Sequence, residues 1–118
     1  MYWRILLSFT TLAVVASAHG QSASTVSGTI NRMDFVASAG GAPNNGDTRV
    51  YLNGVTTFCS GTSDPTWAFV NTSDANYKGV LASLLMAYAT GKQVSVTSIA
   101  GAGTSGPRCQ IEYVSMVN

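Results

Sequence analysis

Over residues 26–31 apolar and polar positions alternate, with Val26, Gly28 and Ile30 on one side and Ser27, Thr29 and Asn31 on the other. Met33 and Phe35 resume the apolar series on the opposite parity, so the pattern predicts a long first strand with a bulge near Arg32. Residues 40–47, reading Gly-Gly-Ala-Pro-Asn-Asn-Gly-Asp, are turn formers and predict an exposed loop. From 48 to 52 β-formers return, with Val50 and Leu52 on one face and Arg49 and Tyr51 on the other, before the tight turn offered by Asn53-Gly54. Residues 55–59 are expected to extend that pairing, and 67–70 (Trp-Ala-Phe-Val) read as a short, largely buried strand.

The period then changes. Tyr77, Val80, Leu81, Leu84, Leu85 and Tyr88 stand at i, i+3, i+4, i+7, i+8 and i+11, which predicts a helix over about 74–90 with that stripe against the core. Ser73 or Asp74 is expected to cap its start, and Gly91 to take the left-handed position after its end. Val94 and Val96 alternate with Ser and Thr in a fourth strand that runs to the glycine-rich stretch 101–107. Cys109, Ile111 and Tyr113 share one face of a closing strand, with Val114, Met116 and Val117 beyond. The expected fold is therefore mainly β with one helix, in the chain order β-β-β-α-β-β of a five-stranded OB-type barrel, with an open α+β sandwich as the alternative.

The first twenty residues change the picture of where this fold operates. Arg4 supplies a positive start, residues 5–15 form an apolar run broken only by Ser8, Thr10 and Thr11, and Ala16-Ser17-Ala18 matches a small-x-small cleavage pattern. The reading is a signal peptide at 1–18, a flexible polar arm at 19–25 and one OB-like domain at 26–118; an uncleaved anchor is the alternative, against a run shorter than the ~20 residues a span needs. No other stretch is long enough to cross a bilayer, so the mature form is expected to be secreted or periplasmic. Two cysteines in an exported chain admit one intramolecular pairing, so Cys59 and Cys109 are expected to be joined.

Composition narrows the function classes. Only 9% of residues are charged, and without Arg4 five basic residues (Arg32, Arg49, Lys78, Lys92, Arg108) face five acids (Asp34, Asp47, Asp64, Asp74, Glu112). A chain with no excess positive charge has little to attract nucleic acid or an anionic membrane. The single His19 lies at the cleavage point, both thiols are committed, and no G-x-S-x-G turn occurs, so no enzyme, metal or cofactor is expected. The run 101–106 lacks the Lys-Ser or Lys-Thr ending of a phosphate loop and reads as a hairpin connection. Asn71-Thr72-Ser73 has the N-glycosylation pattern. Asp64 and Asp74 are expected to bond local amides, Glu112 to face solvent, Trp67 and Phe69 to anchor the core, and Tyr77 and Tyr88 to belong to the helix stripe. Tyr51, outward beside Arg49, is the aromatic best placed to meet a ligand.

Cys59, Trp67-Ala68, the Lys78-x-x-Leu81 helix with Leu85 and Ala87, and Thr90-Gly91-Lys92-x-Val94-x-Val96 together resemble the B subunits of the subtilase-cytotoxin and pertussis-like toxins. They are also similar to small exported bacterial proteins of unassigned role. The resemblance covers residues 55–98 and implies an OB-type barrel, assembly as a ring of five, and sialylated or related glycans bound on the barrel face. It implies ligand contacts from a serine near the first strand with aromatic or acidic neighbours, for which Ser27 and Tyr51 are the nearest candidates. Those subunits place their two cysteines closer together, and the loop at 40–47 has no counterpart in them. The expected function is a secreted, non-enzymatic binding module for a cell-surface glycan or protein; the alternative is a structural, accessory or inhibitor protein with no carbohydrate affinity.

Overall fold

The computed structural model describes residues 22–40, 45–101 and 107–118; the signal segment 1–18 and most of the run 101–107 lie outside them. Five strands and one helix follow in the order β1 (Ser24–Phe35), β2 (Asp47–Leu52), β3 (Ala68–Asn71), α1 (Tyr77–Thr90), β4 (Gln93–Gly101) and β5 (Arg108–Met116), with a short 3₁₀ turn at Ser38–Gly40. The fold is mainly β with one helix, and the strands form a ring whose spatial order, β1-β2-β3-β5-β4, is not the chain order. β5 slots between β3 and β4, pairing parallel to β3 (Ala68 opposite Cys109) and antiparallel to β4.

β1 serves two neighbours. Its first half pairs with β4 from Ser24 opposite Ser98 to Thr29 opposite Gln93, and its second half pairs with β2 from Ile30 opposite Leu52 to Phe35 opposite Thr48. The register shifts between Ile30 and Arg32, as the change of parity in the sequence predicts, and such a bulge bends a strand so that it can turn the corner of a closed sheet. Two residues of the expected polar arm belong to this strand: Ser24 and Thr25 pair with β4, and the Thr25 and Thr97 hydroxyls lie 2.7 Å apart. Their small polar side chains hid a strand whose stabilisation comes from backbone pairing.

The core fills the ring. Ile30, Val50, Leu52, Val70, Val94, Val96 and Ile111 point inward from the strands, and Leu84 and Ala87 from the helix. The Cys59–Cys109 disulfide is buried with them, bridging residues 50 apart in sequence. Residues 55–59 do not extend β2. Thr56 and Thr57 are exposed, and Phe58 and Cys59 turn inward; Phe58 is fully buried, its amide donating to the Pro65 carbonyl (2.8 Å) and its carbonyl accepting from the buried Ser98 hydroxyl (3.3 Å).

The helix departs from its sequence reading in three ways. It starts at Tyr77, later than expected, because neither Ser73 nor Asp74 caps it: Asp74 Oδ1 accepts the Asn76 amide in a turn before the first helical residue. It meets the ring along one narrow line, Tyr77, Val80, Leu84 and Ala87, where the small Ala87 permits close approach. Leu85 and Tyr88 are consequently on the flank, 42% and 49% exposed, instead of in the core. The end is as predicted: Gly91 has φ 65°, a conformation open to glycine, and its amide bonds the Ala87 carbonyl.

Candidate functional site

The outward positions of β1, β2 and β3, with the turn before β3 and the start of β5, gather three arginines, two carboxylates and three aromatic rings on one face. The register puts Arg32 opposite Tyr51, and Asp34, Arg49, Phe69 and Gln110 in one cross-strand row. Alternation explains the composition of this face: while Val50 and Leu52 fill the ring, Arg49 and Tyr51 between and beside them must point out.

Arg32 and Asp34, two apart after the bulge, form a bidentate pair through Nε to Oδ1 (2.8 Å) and Nη2 to Oδ2 (2.6 Å). The Tyr51 hydroxyl donates to Asp34 Oδ2 (3.2 Å), and the Arg32 guanidinium lies 4.6 Å from the Tyr51 ring centre. The Arg32 hydrogen bond holds the Asp34 carboxyl below the usual range, while burial and the neighbouring Asp34 charge push the Tyr51 phenol up. This trio is internally satisfied.

The neighbouring group is not. Trp67 is only 5% exposed, yet it stands outside the core cluster, so the expected core anchor packs on the outer surface of the ring. It is covered by cations: the Arg49 guanidinium lies 4.3 Å and that of Arg108 5.9 Å from its ring, and Phe69 packs edge-on at 6.1 Å. Its Nε1 donates to Asp64 Oδ2 (2.8 Å), while Asp64 Oδ1 accepts the Thr66 hydroxyl (2.6 Å) and amide (3.2 Å). Those bonds, led by the Thr66 hydroxyl, lower the Asp64 pKa. Arg108 also donates to the Ser63 hydroxyl and the Pro107 carbonyl. Every Asp and Glu of the chain is among the described residues, yet neither Arg49 nor Arg108 forms an ion pair, and Arg49 Nε is buried with no hydrogen-bond partner. An orphaned buried donor of this kind costs about 1–3 kcal/mol, which an incoming acceptor would offset if the side chain shifts to meet it.

The two ligand residues expected from the sequence are not brought together. Tyr51 is half-buried on this face, whereas exposed Ser27 lies opposite Ser95 on the β4 side. Ser27 stands five positions before Tyr51's partner Arg32 on β1, roughly 15 Å of strand. Glu112 is exposed on β5. The glycosylation pattern is structurally occupied: Asn71 Nδ2, the atom that would carry a glycan, donates to Asp47 Oδ1 (2.7 Å) and the Asn45 carbonyl (3.1 Å). Among the described residues no three metal-ligating side chains gather.

A second feature adjoins the face. Below the end of β1, Phe35, Gly46, Asp47, Thr48, Thr72 and Tyr77 line an open cleft of about 160 Å³. Burial raises the Asp47 pKa, an effect that the Asn71 amide and the Arg49 charge only partly oppose. Gly46 is required here: it has φ 82°, and a Cβ would meet Thr72 Oγ1 at 2.5 Å. No family model, curated protein or solved structure matches this chain.

Proposed function

We propose that this protein is an exported, non-enzymatic OB-type module that binds an acidic glycan on the outer face of β1, β2 and β3. One observation carries the reading: Arg49 and Arg108 both lie against the Trp67 ring, and neither has a carboxylate partner. A guanidinium held over an indole keeps its charge, is pre-oriented by the ring, and offers a planar fork to a ligand carboxylate. Tyr51 and the paired Arg32 border this position and supply a flat edge beside it. The OB assignment is supported by the ring order, the parallel β3–β5 closure and the helix placed between β3 and β4, since the outer face of strands 2 and 3 is where such barrels take oligomeric ligands. The signal-like leader and the buried disulfide support export to an oxidising compartment. The resemblance to toxin B subunits supports the glycan as ligand.

An array of sialylated and matched asialo glycans tests this, followed by interferometry on the hits. Arg49→Gln and Arg108→Gln should each weaken binding of the acidic glycan by about tenfold or more, as loss of a charge-assisted bond would. Tyr51→Ala should remove binding while leaving the Tm within a few degrees. Equal affinity for acidic and neutral glycans would overturn the reading.

A second reading, an assembly or accessory protein, is favoured by the flank of α1, where Leu85, Met86 and Tyr88 are 42%, 61% and 49% exposed. Light scattering on the oxidised protein, read with the glycan array, separates the two: a ring of five with glycan hits supports the glycan module, and a monomer without glycan hits leaves a protein partner as the ligand.

A further inference from the structure

In an Asn-Gly pair the backbone can attack the asparagine side chain, because the glycine puts no Cβ in the way of its own amide nitrogen. The chain contains two such pairs, Asn45-Gly46 and Asn53-Gly54, both in turns with the asparagine exposed. The fold treats them differently. Gly46 is held at both ends: its amide donates to the Val36 carbonyl (2.8 Å), and its carbonyl accepts the Thr72 amide (3.0 Å). The Asn45 carbonyl accepts Asn71 Nδ2 (3.1 Å), and Thr72 Oγ1 stands 2.5 Å from where a Cβ on Gly46 would be. Around Gly54 nothing beyond its chain neighbours lies within 4 Å of that position, and its amide makes no hydrogen bond among the described residues. The bond that closes its turn, from the Val55 amide to the Leu52 carbonyl, is long at 3.3 Å. Asn53 is tied to Thr29, amide to carbonyl (2.9 Å) and Nδ2 to Oγ1 (2.8 Å), and neither bond occupies the Gly54 nitrogen.

We propose that Asn53 is a site of spontaneous deamidation in the folded protein, with solvent water as co-reactant, and that the fold protects Asn45 from the same reaction. The Gly54 nitrogen gives up its proton and attacks Asn53 Cγ; the Cγ–Nδ2 bond breaks, and ammonia leaves with that proton. Water then opens the resulting five-membered imide. Opening at Cγ gives aspartate, and opening at the backbone carbonyl gives isoaspartate, with the chain running on through Cγ. Nothing is oxidised or reduced. The step needs a free amide nitrogen and a turn that can open, which Gly54 has, whereas Gly46 must first break its bond to Val36. Position gives the product a consequence: Asn53 follows Leu52, opposite Ile30, and bonds to Thr29, where β1 changes partner from β4 to β2. Either product loses the Nδ2 donor to Thr29 and adds a negative charge to the turn that follows Tyr51. The site does not depend on the acidic-glycan reading, since none of the arginine-face residues takes part in the step.

The test is a timed incubation of the oxidised, leader-free protein in neutral buffer beside a reduced, guanidinium-unfolded sample, followed by reduction and tryptic mapping. Cleavage after Arg32, Arg49 and Lys78 puts Asn45 in fragment 33–49 and Asn53 in fragment 50–78, and fragmentation spectra locate aspartate and isoaspartate within each. In the folded protein, conversion at Asn53 should exceed that at Asn45 by about fivefold or more, the factor that breaking one backbone hydrogen bond introduces. In the unfolded chain the two should convert at similar rates. Asn53→Gln should remove most of the conversion in fragment 50–78 and leave fragment 33–49 as it was. The proposal fails if Asn45 converts as fast as Asn53 in the folded protein, or if Asn53 stays intact over the time in which the unfolded chain reacts. A preference for Asn53 that persists on unfolding would also overturn it, since the protection of Asn45 would then come from sequence and not from the fold.

Discussion

Trp67, just before β3, and Phe35, at the end of β1 on the parity of Met33, are both aromatic residues at the border of the ring, yet one is 5% exposed and the other 59%. Around Trp67 every direction is filled: two guanidiniums lie against the ring, Phe69 meets its edge and Asp64 takes its N–H. The residue after it, Ala68, pairs with Cys109, so the disulfide staples the strand immediately behind. Phe35 has no such cover and borders a cleft. A covered surface aromatic is a platform that holds charged groups in place, whereas a bare one keeps its apolar area available to something else. The two rings separate positioning from contact in two regions of one small protein.

Removing the staple is the largest perturbation. By loop-closure entropy, Cys59→Ser with Cys109→Ser should cost about 4 kcal/mol for a closed loop of this size, read by urea denaturation. Because the bridge lies behind Trp67 and not near Phe35, hydrogen exchange should quicken in β3 and β5 before β2; uniform quickening would contradict the regional difference. Next, Trp67→Ala should cost about 3 kcal/mol, as loss of a buried aromatic does, while Trp67→Phe should cost about 1 kcal/mol for the Asp64 hydrogen bond. A negligible effect of Trp67→Ala would mean that the guanidiniums hold their positions without it.

The strands were legible because inward apolar residues alternate, and the disulfide because only one pairing exists. The bulge near Arg32 was legible as a change of parity. What the pattern could not convey is which side of a short strand a large aromatic takes: Trp67 and Phe69 share parity opposite to Ala68 and Val70, and the two smaller residues are the ones that fill the ring. Size suggested the reverse. The helix stripe misled for a related reason, since Ala87 is too small to stand out in a hydrophobic pattern yet is fully buried against the core. Arg32-x-Asp34 and Arg49-x-Tyr51 carried a readable signal, two outward pairs on strands that register brings side by side. The contribution of Arg108, from the far end of the chain, depends on the parallel β3–β5 pairing and was not visible in any local pattern.

The carboxylates of the two regions should respond oppositely to acid. Asp34 and Asp64 have lowered pKa values, through Arg32 and the Thr66 hydroxyl respectively, so they stabilise the fold above the unfolded-chain value of about 3.9 and lose that contribution as pH falls through their folded values. Asp47 is raised by burial, so its ionised form disfavours folding; that penalty is full above its folded pKa and gone below about 3.9. The Tm from neutral pH downward should therefore gain from Asp47 first and lose from Asp34 and Asp64 later. In Asp47→Asn the early gain should vanish and the later loss remain; an unchanged profile would place the Asp47 carboxyl in water.

The smallest expected effect discriminates most. Phe35 is at the end of β1, where its backbone pairs opposite Thr48, and that pairing does not depend on the side chain. With 59% of the residue already in water, truncation removes little buried area and opens no interior cavity. Phe35→Ala should accordingly change stability by no more than about 0.5 kcal/mol, the range of ordinary surface substitutions, whereas the same truncation at Trp67 should be several times larger. Paired urea curves on the two variants measure the contrast directly. A cost at Phe35 approaching that at Trp67 would show that the ring is packed within the protein, and the difference between a platform and an open surface would dissolve; a negligible one leaves exposed aromatic area beside a cleft that folding itself does not use.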